Sequence, residues 1–121
     1  MKQFLVVDDS RVVRKVARRI LEELKFEIAE AEDGQIALSA CQKKMPDAIL
    51  LDWNMPNMNG IEFLVALRKE KGGDKPVVLF CTTECEFSFI TRAMEAGANE
   101  YIMKPFDREI IESKLAEVGL S

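Results

Sequence analysis

Apolar residues follow two alternating rhythms along this chain. Five short apolar runs, at residues 3–7, 26–31, 48–51, 77–81 and 101–103, are each followed by a stretch in which apolar residues recur every three or four positions. The first, third and fourth runs are nearly continuous, the pattern of strands covered on both faces. The first helical stretch carries Val13, Val16, Ala17, Ile20, Leu21 and Leu24 on one stripe, with Ser10 placed to cap its N-terminus. Further helices are predicted over 34–44, burying Ile36, Ala37, Ala40 and Cys41, over 61–71 with Leu64 and Leu67, over 84–96, and over 107–118. Pro46 and the pair Gly72-Gly73 stop the second and third of these, and Gly97 supplies a C-terminal residue for the fourth. The fifth helix carries Ile110, Ile111, Leu115 and Val118.

Strict alternation of strand and helix predicts a parallel sheet with helices on both faces. Five such units make one α/β domain over residues 1–121, a flavodoxin-like (βα)5 three-layer sandwich with strand order 2-1-3-4-5. In a sheet of that order, ligands bind beyond the carboxyl ends of the strands where the order reverses, here between the first and third. Asp8 and Asp9 follow the first run, and Asp52 follows the third. Topology thus selects three carboxylates for one corner.

Composition narrows the chemistry. The 121 residues include no histidine, which removes histidine-based triads, zinc sites and phosphate carriers. Seventeen Lys and Arg against 21 Asp and Glu leave a net charge of −4, which argues against nucleic-acid binding through bulk charge. Three cysteines fit no disulfide framework and suggest a reducing, cytoplasmic setting. No apolar segment approaches the roughly 20 residues of a membrane span, so no membrane partner is expected.

Two carboxylates about 4 Å apart repel by about 4 kcal/mol at an effective dielectric of 20, so the corner calls for a cation, shifted pKa values or both. An all-oxygen donor set with few carboxylates suits Mg²⁺. Thr82 follows the fourth run and Lys104-Pro105 the fifth, which adds a hydroxyl and an ammonium to the same edge. Together these groups can stabilise a phosphoryl group carried on an aspartate.

The stretches Asp8-Asp9-Ser10, 52–60 (DWNMPNMNG), Thr82 and Lys104-Pro105-Phe106, in this order and spacing, resemble the receiver domain of bacterial response regulators, particularly its stand-alone chemotaxis type. The resemblance runs the length of the chain. It implies that Asp52 is the phosphoacceptor for a sensor histidine kinase or a small donor such as acetyl phosphate. Asp9, Asp52 and the backbone carbonyl of Asn54 would bind Mg²⁺, with Asp8 acting mainly through water. Thr82 and Lys104 would contact the phosphoryl group, Tyr101 would switch rotamer, and the Lys104–Pro105 bond would be cis. Asn54 and Glu84 occupy positions that tune acyl-phosphate lifetime, and their combination implies fast turnover. Thr83 stands where the family usually has a smaller residue, and its branched side chain would restrict access. The output would be a protein such as the flagellar motor switch, engaged by a monomer through the fourth helix, fifth strand and fifth helix. The chain would be a signalling phosphoacceptor and not an enzyme acting on external substrates.

Phe87 and Phe89 lie two apart in the fourth helix and so point about 200° apart, with Phe87 joining the stripe of Ile90, Ala93 and Met94. Phe89 is therefore expected to be partly exposed and, with Tyr101 and Phe106, to belong to the partner surface. Arg11, Arg14, Lys15, Arg18 and Arg19 make a basic face that either docks a kinase or is simply solvated. Cys81 and Cys85 are expected to pack and not to react. Competing readings are a phosphorelay intermediate or phosphate sink contacting only kinases, a Mg²⁺-dependent aspartyl-phosphate phosphatase, and a flavin-binding domain. The phosphatase wants a second acid two residues after Asp52, where Asn54 stands. A flavin phosphate would be repelled by Asp8 and Asp9.

Overall fold

All five apolar runs become strands, and the order is the one the alternation predicts. A computed structural model describes residues 2–83 and 87–120 of the chain, apart from the side chain of residue 87. Within them, β1 (Gln3–Val7), β2 (Glu27–Ala31), β3 (Ala48–Asp52), β4 (Val77–Thr82) and β5 (Glu100–Met103) form one parallel sheet in the order β2-β1-β3-β4-β5. The helices are α1 (Arg11–Glu23), α2 (Gly34–Lys43), α3 (Gly60–Lys69), α4 (Phe87–Glu95) and α5 (Arg108–Glu117). Glu84 and Cys85, with which the fourth helix was expected to begin, lie outside the described residues, as does the side-chain packing expected of Phe87.

The sheet has a core on each face because successive strand side chains point to opposite sides. Leu5, Val7, Ile49, Leu51, Val78 and Phe80 face α2, α3 and α4, meeting Ala37, Cys41, Phe63, Leu64, Leu67 and Ala93. Phe4, Val6, Leu50, Leu79, Cys81 and Ile102 face α1 and α5, meeting Ala17, Ile20, Leu21, Ile111 and Leu115. Every residue of β3 is buried, as a central strand covered on both faces requires.

Helix starts follow local polar chemistry. Ser10 accepts from the Val13 N–H at 3.3 Å, and Asp33 and Asp107 cap α2 and α5 in the same way. Asn59 and Glu62 form a reciprocal capping box on α3. Helix ends are shorter than the sequence suggests: α3 stops at Lys69, before Gly72, whose φ of +79° carries the turn.

The buried stripes are narrower than the apolar spacing predicts. Val16, Ile36, Met94 and Ile110, each expected to face the core, are 45, 43, 40 and 38% exposed. A helix lying on a sheet buries only the residues nearest the strands, so apolar residues at the margins of the stripe remain in water.

Candidate functional site

The carboxyl ends of β1, β3, β4 and β5 meet at one corner. Asp8 immediately follows β1, its N–H donating to the Ala31 carbonyl at 3.1 Å as though the strand continued. Asp52 and Thr82 are the last residues of β3 and β4, and each is one residue deeper in its strand than the sequence reading put it. Asp8, Asp52 and Thr82 are buried, while Asp9 is exposed. Lys104 follows β5, anchored by its N–H to the Thr82 carbonyl at 2.9 Å, and its bond to Pro105 is cis, as expected.

One carboxylate oxygen from each of Asp8, Asp9 and Asp52 lies within 4.8 Å of the others. At that separation each pair of charges repels by roughly 3–4 kcal/mol at an effective dielectric of about 20. The cation among them is Lys104, whose Nζ donates to Asp8 Oδ2 at 2.8 Å and to Asp52 Oδ1 at 3.0 Å. Burial would lower the Lys104 pKa, but the bonds to Asp8 and Asp52 outweigh it and hold the ammonium above its usual range. Burial pushes the Asp52 carboxyl up, and the charges of Asp8 and Asp9 push the same way, so Lys104 offsets the effect only in part. One ammonium cannot balance three acids, and the surplus falls on Asp52. An all-oxygen cluster short of positive charge fits a hard divalent cation.

The corner is held in place from behind. Arg14 donates from Nη1 to the Asp8 carbonyl at 2.6 Å, and the Ser10 N–H donates to Asp8 Oδ1 at 2.9 Å. Arg14 is in turn paired with Glu30 at 3.0 Å, which Arg18 also reaches at 2.8 Å. Two of the five basic residues of α1 are therefore engaged with β2, and Arg11, Lys15 and Arg19 are the exposed ones. On the other side, the loop after β3 is clamped: Gly60 N–H donates to the Trp53 carbonyl at 2.9 Å, and Gly34 N–H to the Met58 carbonyl at 3.1 Å. The Asn57 amide donates to Asp33 Oδ2 at 2.9 Å. A Cβ on Gly60 would run into the backbone oxygen of Asp52, so only glycine lets α3 start this close to the end of β3.

A cleft of about 350 Å³ opens over Asp52, lined by Asp9, Asp52, Trp53, Asn54, Thr82, Thr83, Phe89 and Lys104. Phe89 is partly exposed, as its spacing predicts, but its ring does not stand free. It meets the Trp53 indole edge to face, with centroids 4.9 Å apart at 83°. The Arg92 guanidinium lies 5.2 Å from the centre of the same indole. Tyr101 is half-buried, with the Lys114 ammonium 4.6 Å from its ring centre. Phe106 is half-buried on the α1/α5 side. Burial pushes the thiols of Cys41 and Cys81 up to about 11 and about 12, which fits packing residues.

The bond from Arg14 to the Asp8 carbonyl, the Asp33 cap and the Trp53 contacts of α4 go beyond the sequence reading, which places Arg14 only on a basic helix face. Asp33 stood before a helical stretch as a legible cap, and Phe89 and Arg92 stood three apart on one helix face. Nothing in the sequence said that the Asp8 carbonyl would find Arg14.

Residues 4–116 match the response regulator receiver domain, and the chain belongs to that family, the phosphoacceptor side of two-component signalling. Receiver domains generally depend on Mg²⁺, and membership implies a kinase that donates and a downstream target. Among particular proteins, the chain is 35% identical to the chemotaxis protein CheY of Pseudomonas aeruginosa over 96% of its length and 94% of that protein. It is 36% identical to a chemotaxis protein CheY homolog of Campylobacter jejuni, over 96% of its own length and 91% of that protein. The crystal structure of the Vibrio cholerae chemotaxis response regulator CheY4 superposes with a TM-score of 0.92 at 34% identity, covering 98% of each chain. The receiver reading, the fold and the strand order drawn from the sequence are thereby established.

Proposed function

We propose that this chain is a single-domain phosphorylation switch in which Asp52 accepts a phosphoryl group from a sensor histidine kinase and the α4-β5-α5 face then controls a protein partner. The observation that carries the reading is the Lys104 ammonium bonded to Asp8 and Asp52 at once, at a cleft that Thr82 also lines. Asp8, Asp9, Asp52 and the backbone carbonyl of Asn54 would hold Mg²⁺, which when bound supplies charge to neutralise phosphoryl oxygens. An Asp52 oxygen attacks phosphorus, the P–N bond to the donor imidazole breaks, and its electron pair stays on the imidazole nitrogen. Lys104 and Thr82 then donate to separate phosphoryl oxygens.

The new group carries about 1.5 to 2 negative charges and three acceptor oxygens. Driving a two-state domain from 1:99 to 99:1 takes ~5.5 kcal/mol, and charged hydrogen bonds of ~1.5–3 kcal/mol each at Lys104 and Thr82 are of that order. Tyr101, on β5 beside β4 and with the Lys114 ammonium over its ring, would report the change, and Phe89 and Phe106 would join it in the partner surface. Asn54, Thr83 and Glu84 would set the lifetime of the phosphorylated form. A kinase would dock where exposed Val12 and Val16 flank Pro105 and Phe106, in an apolar groove of about 370 Å³ that shares Thr83 and Lys104 with the acceptor cleft. Arg11, Lys15 and Arg19 on the same helix would add charge attraction. The names of the relatives favour chemotaxis; in that setting the flagellar motor switch would be the target, engaged by a cytoplasmic monomer. Among the described residues no helix is long and apolar enough to cross a membrane.

Titrating Mg²⁺ and then acetyl phosphate while following Trp53, the single tryptophan and the neighbour of Asp52, tests this reading. Both additions are expected to change emission in the wild type, and the donor response is expected to vanish in Asp52→Asn. Wild-type protein that gains no phosphoryl mass with Mg²⁺ and donor overturns it.

A further inference from the structure

Of the described residues that line the Asp52 cleft, all but one come from strand ends and the segments directly after them. The exception is Phe89 on α4. Its ring packs edge to face on Trp53, and Trp53 is also met by Phe80 from below at 5.5 Å and by Arg92 at 5.2 Å. Phe89 and Arg92 are three apart and share a helix face, so α4 grips the indole with both. With Trp53, Phe89 makes an aromatic side to a cleft whose other described lining is acids, amide, hydroxyls and ammonium. It stands beside the acceptor, where a donor's leaving group and attacking water must pass.

We infer that Phe89, braced on Trp53, is a specificity-determining wall of the Asp52 cleft, limiting the leaving groups that fit beside the acceptor and the water that reaches the acyl phosphate. The inference rests on Asp52 being the acceptor. In the hydrolysis so limited, water oxygen attacks phosphorus, the P–O bond to Asp52 breaks with its electron pair returning to the carboxylate, and the water proton leaves with phosphate or solvent. Removing the ring opens space on one side only, so a bulky leaving group gains more than a small one. A general loosening of the fold would not sort donors by size.

The test compares wild type with Phe89→Ala, Phe89→Leu and Phe89→Tyr, each checked for native circular dichroism. Without metal or donor, acrylamide quenching of Trp53 is expected to rise in the Ala variant and to stay near wild type in the Tyr variant. With Mg²⁺, the rate of phosphorylation by acetyl phosphate relative to phosphoramidate, whose leaving group is smaller, is expected to rise in the Ala variant. Loss of the acyl phosphate is expected to accelerate by roughly three- to tenfold, with Leu intermediate and Tyr restoring both readouts. A folded Ala variant with unchanged quenching, donor ratio and hydrolysis overturns the wall while leaving the acceptor intact. A wild type that takes no phosphoryl group from either donor overturns the acceptor reading and this inference together, and is recognised without any variant.

Discussion

At the scale of single residues, the site is an arrangement of unequal charges. Asp52 bears most of the strain, because it is buried, it faces two other acids, and it has only a share of Lys104. A carboxyl whose pKa is raised by folding binds protons more tightly in the native state than in the unfolded chain. Stability therefore falls as pH rises from the unfolded carboxylate range through the folded pKa, and stays reduced above it. Neutralising the position removes that cost. Asp52→Asn without metal is expected to melt a few degrees above wild type at pH 7, with the difference shrinking as pH is lowered toward 4. Differential scanning calorimetry across that range checks the sign, and an equal or lower Tm at pH 7 would contradict the charge assignment. The acids, Thr82 and Lys104 were all legible in the sequence, because each directly ends or follows an apolar run. Their relative burial was not, because the exposure of Asp9 and the burial of Asp8 depend on which face each turns after the strand ends.

At the scale of elements, α4 and β5 are held against the rest of the fold from one side. Arg68 on α3 spans the gap. Its guanidinium donates to the carbonyls of Gly97, at 3.1 and 2.6 Å, Gly73 at 2.9 Å and Pro76 at 2.8 Å, and to Asn99 Oδ1 at 3.1 Å. Gly97 turns the chain from α4 into β5 with φ of +115°, so this one side chain ties the end of α3 to that corner. Arg68→Ala leaves several carbonyls without a charged donor and is expected to cost about 2–4 kcal/mol in urea unfolding. Arg68→Lys is expected to recover little, since a point charge cannot match a planar fork of donors. Gly60 illustrates a contest of magnitudes at the start of α3. Alanine would favour the helix by ~1 kcal/mol, but overpacking against the Asp52 backbone costs typically 1–3 kcal/mol and wins. Element type and order were readable from periodicity. Helix margins were not: Val16, Ile36, Met94 and Ile110 obey the helical spacing and still face water.

At the scale of the molecule, the sheet sets four strand ends side by side and so brings Asp8, Asp52, Thr82 and Lys104, far apart in the chain, to one corner. The corner is also where binding couples to the stability of the whole. If Mg²⁺ binds the native acids and not the unfolded chain, saturation to about 100 times Kd adds ~2.7 kcal/mol. Mg²⁺ is expected to raise the wild-type Tm at pH 7 and to lose that effect as pH falls, because protons compete with the metal for carboxylate oxygens. The same titration on Asp9→Asn separates site binding from general salt screening, since screening survives the substitution.

The alternation of strands and helices, the order 2-1-3-4-5 expected of five such units, and the residue types at each strand's carboxyl end can all be read along the chain. Those follow from local rules: apolar periodicity chooses the element, and crossover topology chooses the edge. Folding in three dimensions is what lets Lys104 bridge Asp8 and Asp52, Arg14 back Asp8, and α4 lay Phe89 and Arg92 against Trp53. Each of these depends on the distance and facing of groups from different elements, which periodicity along a single chain does not encode.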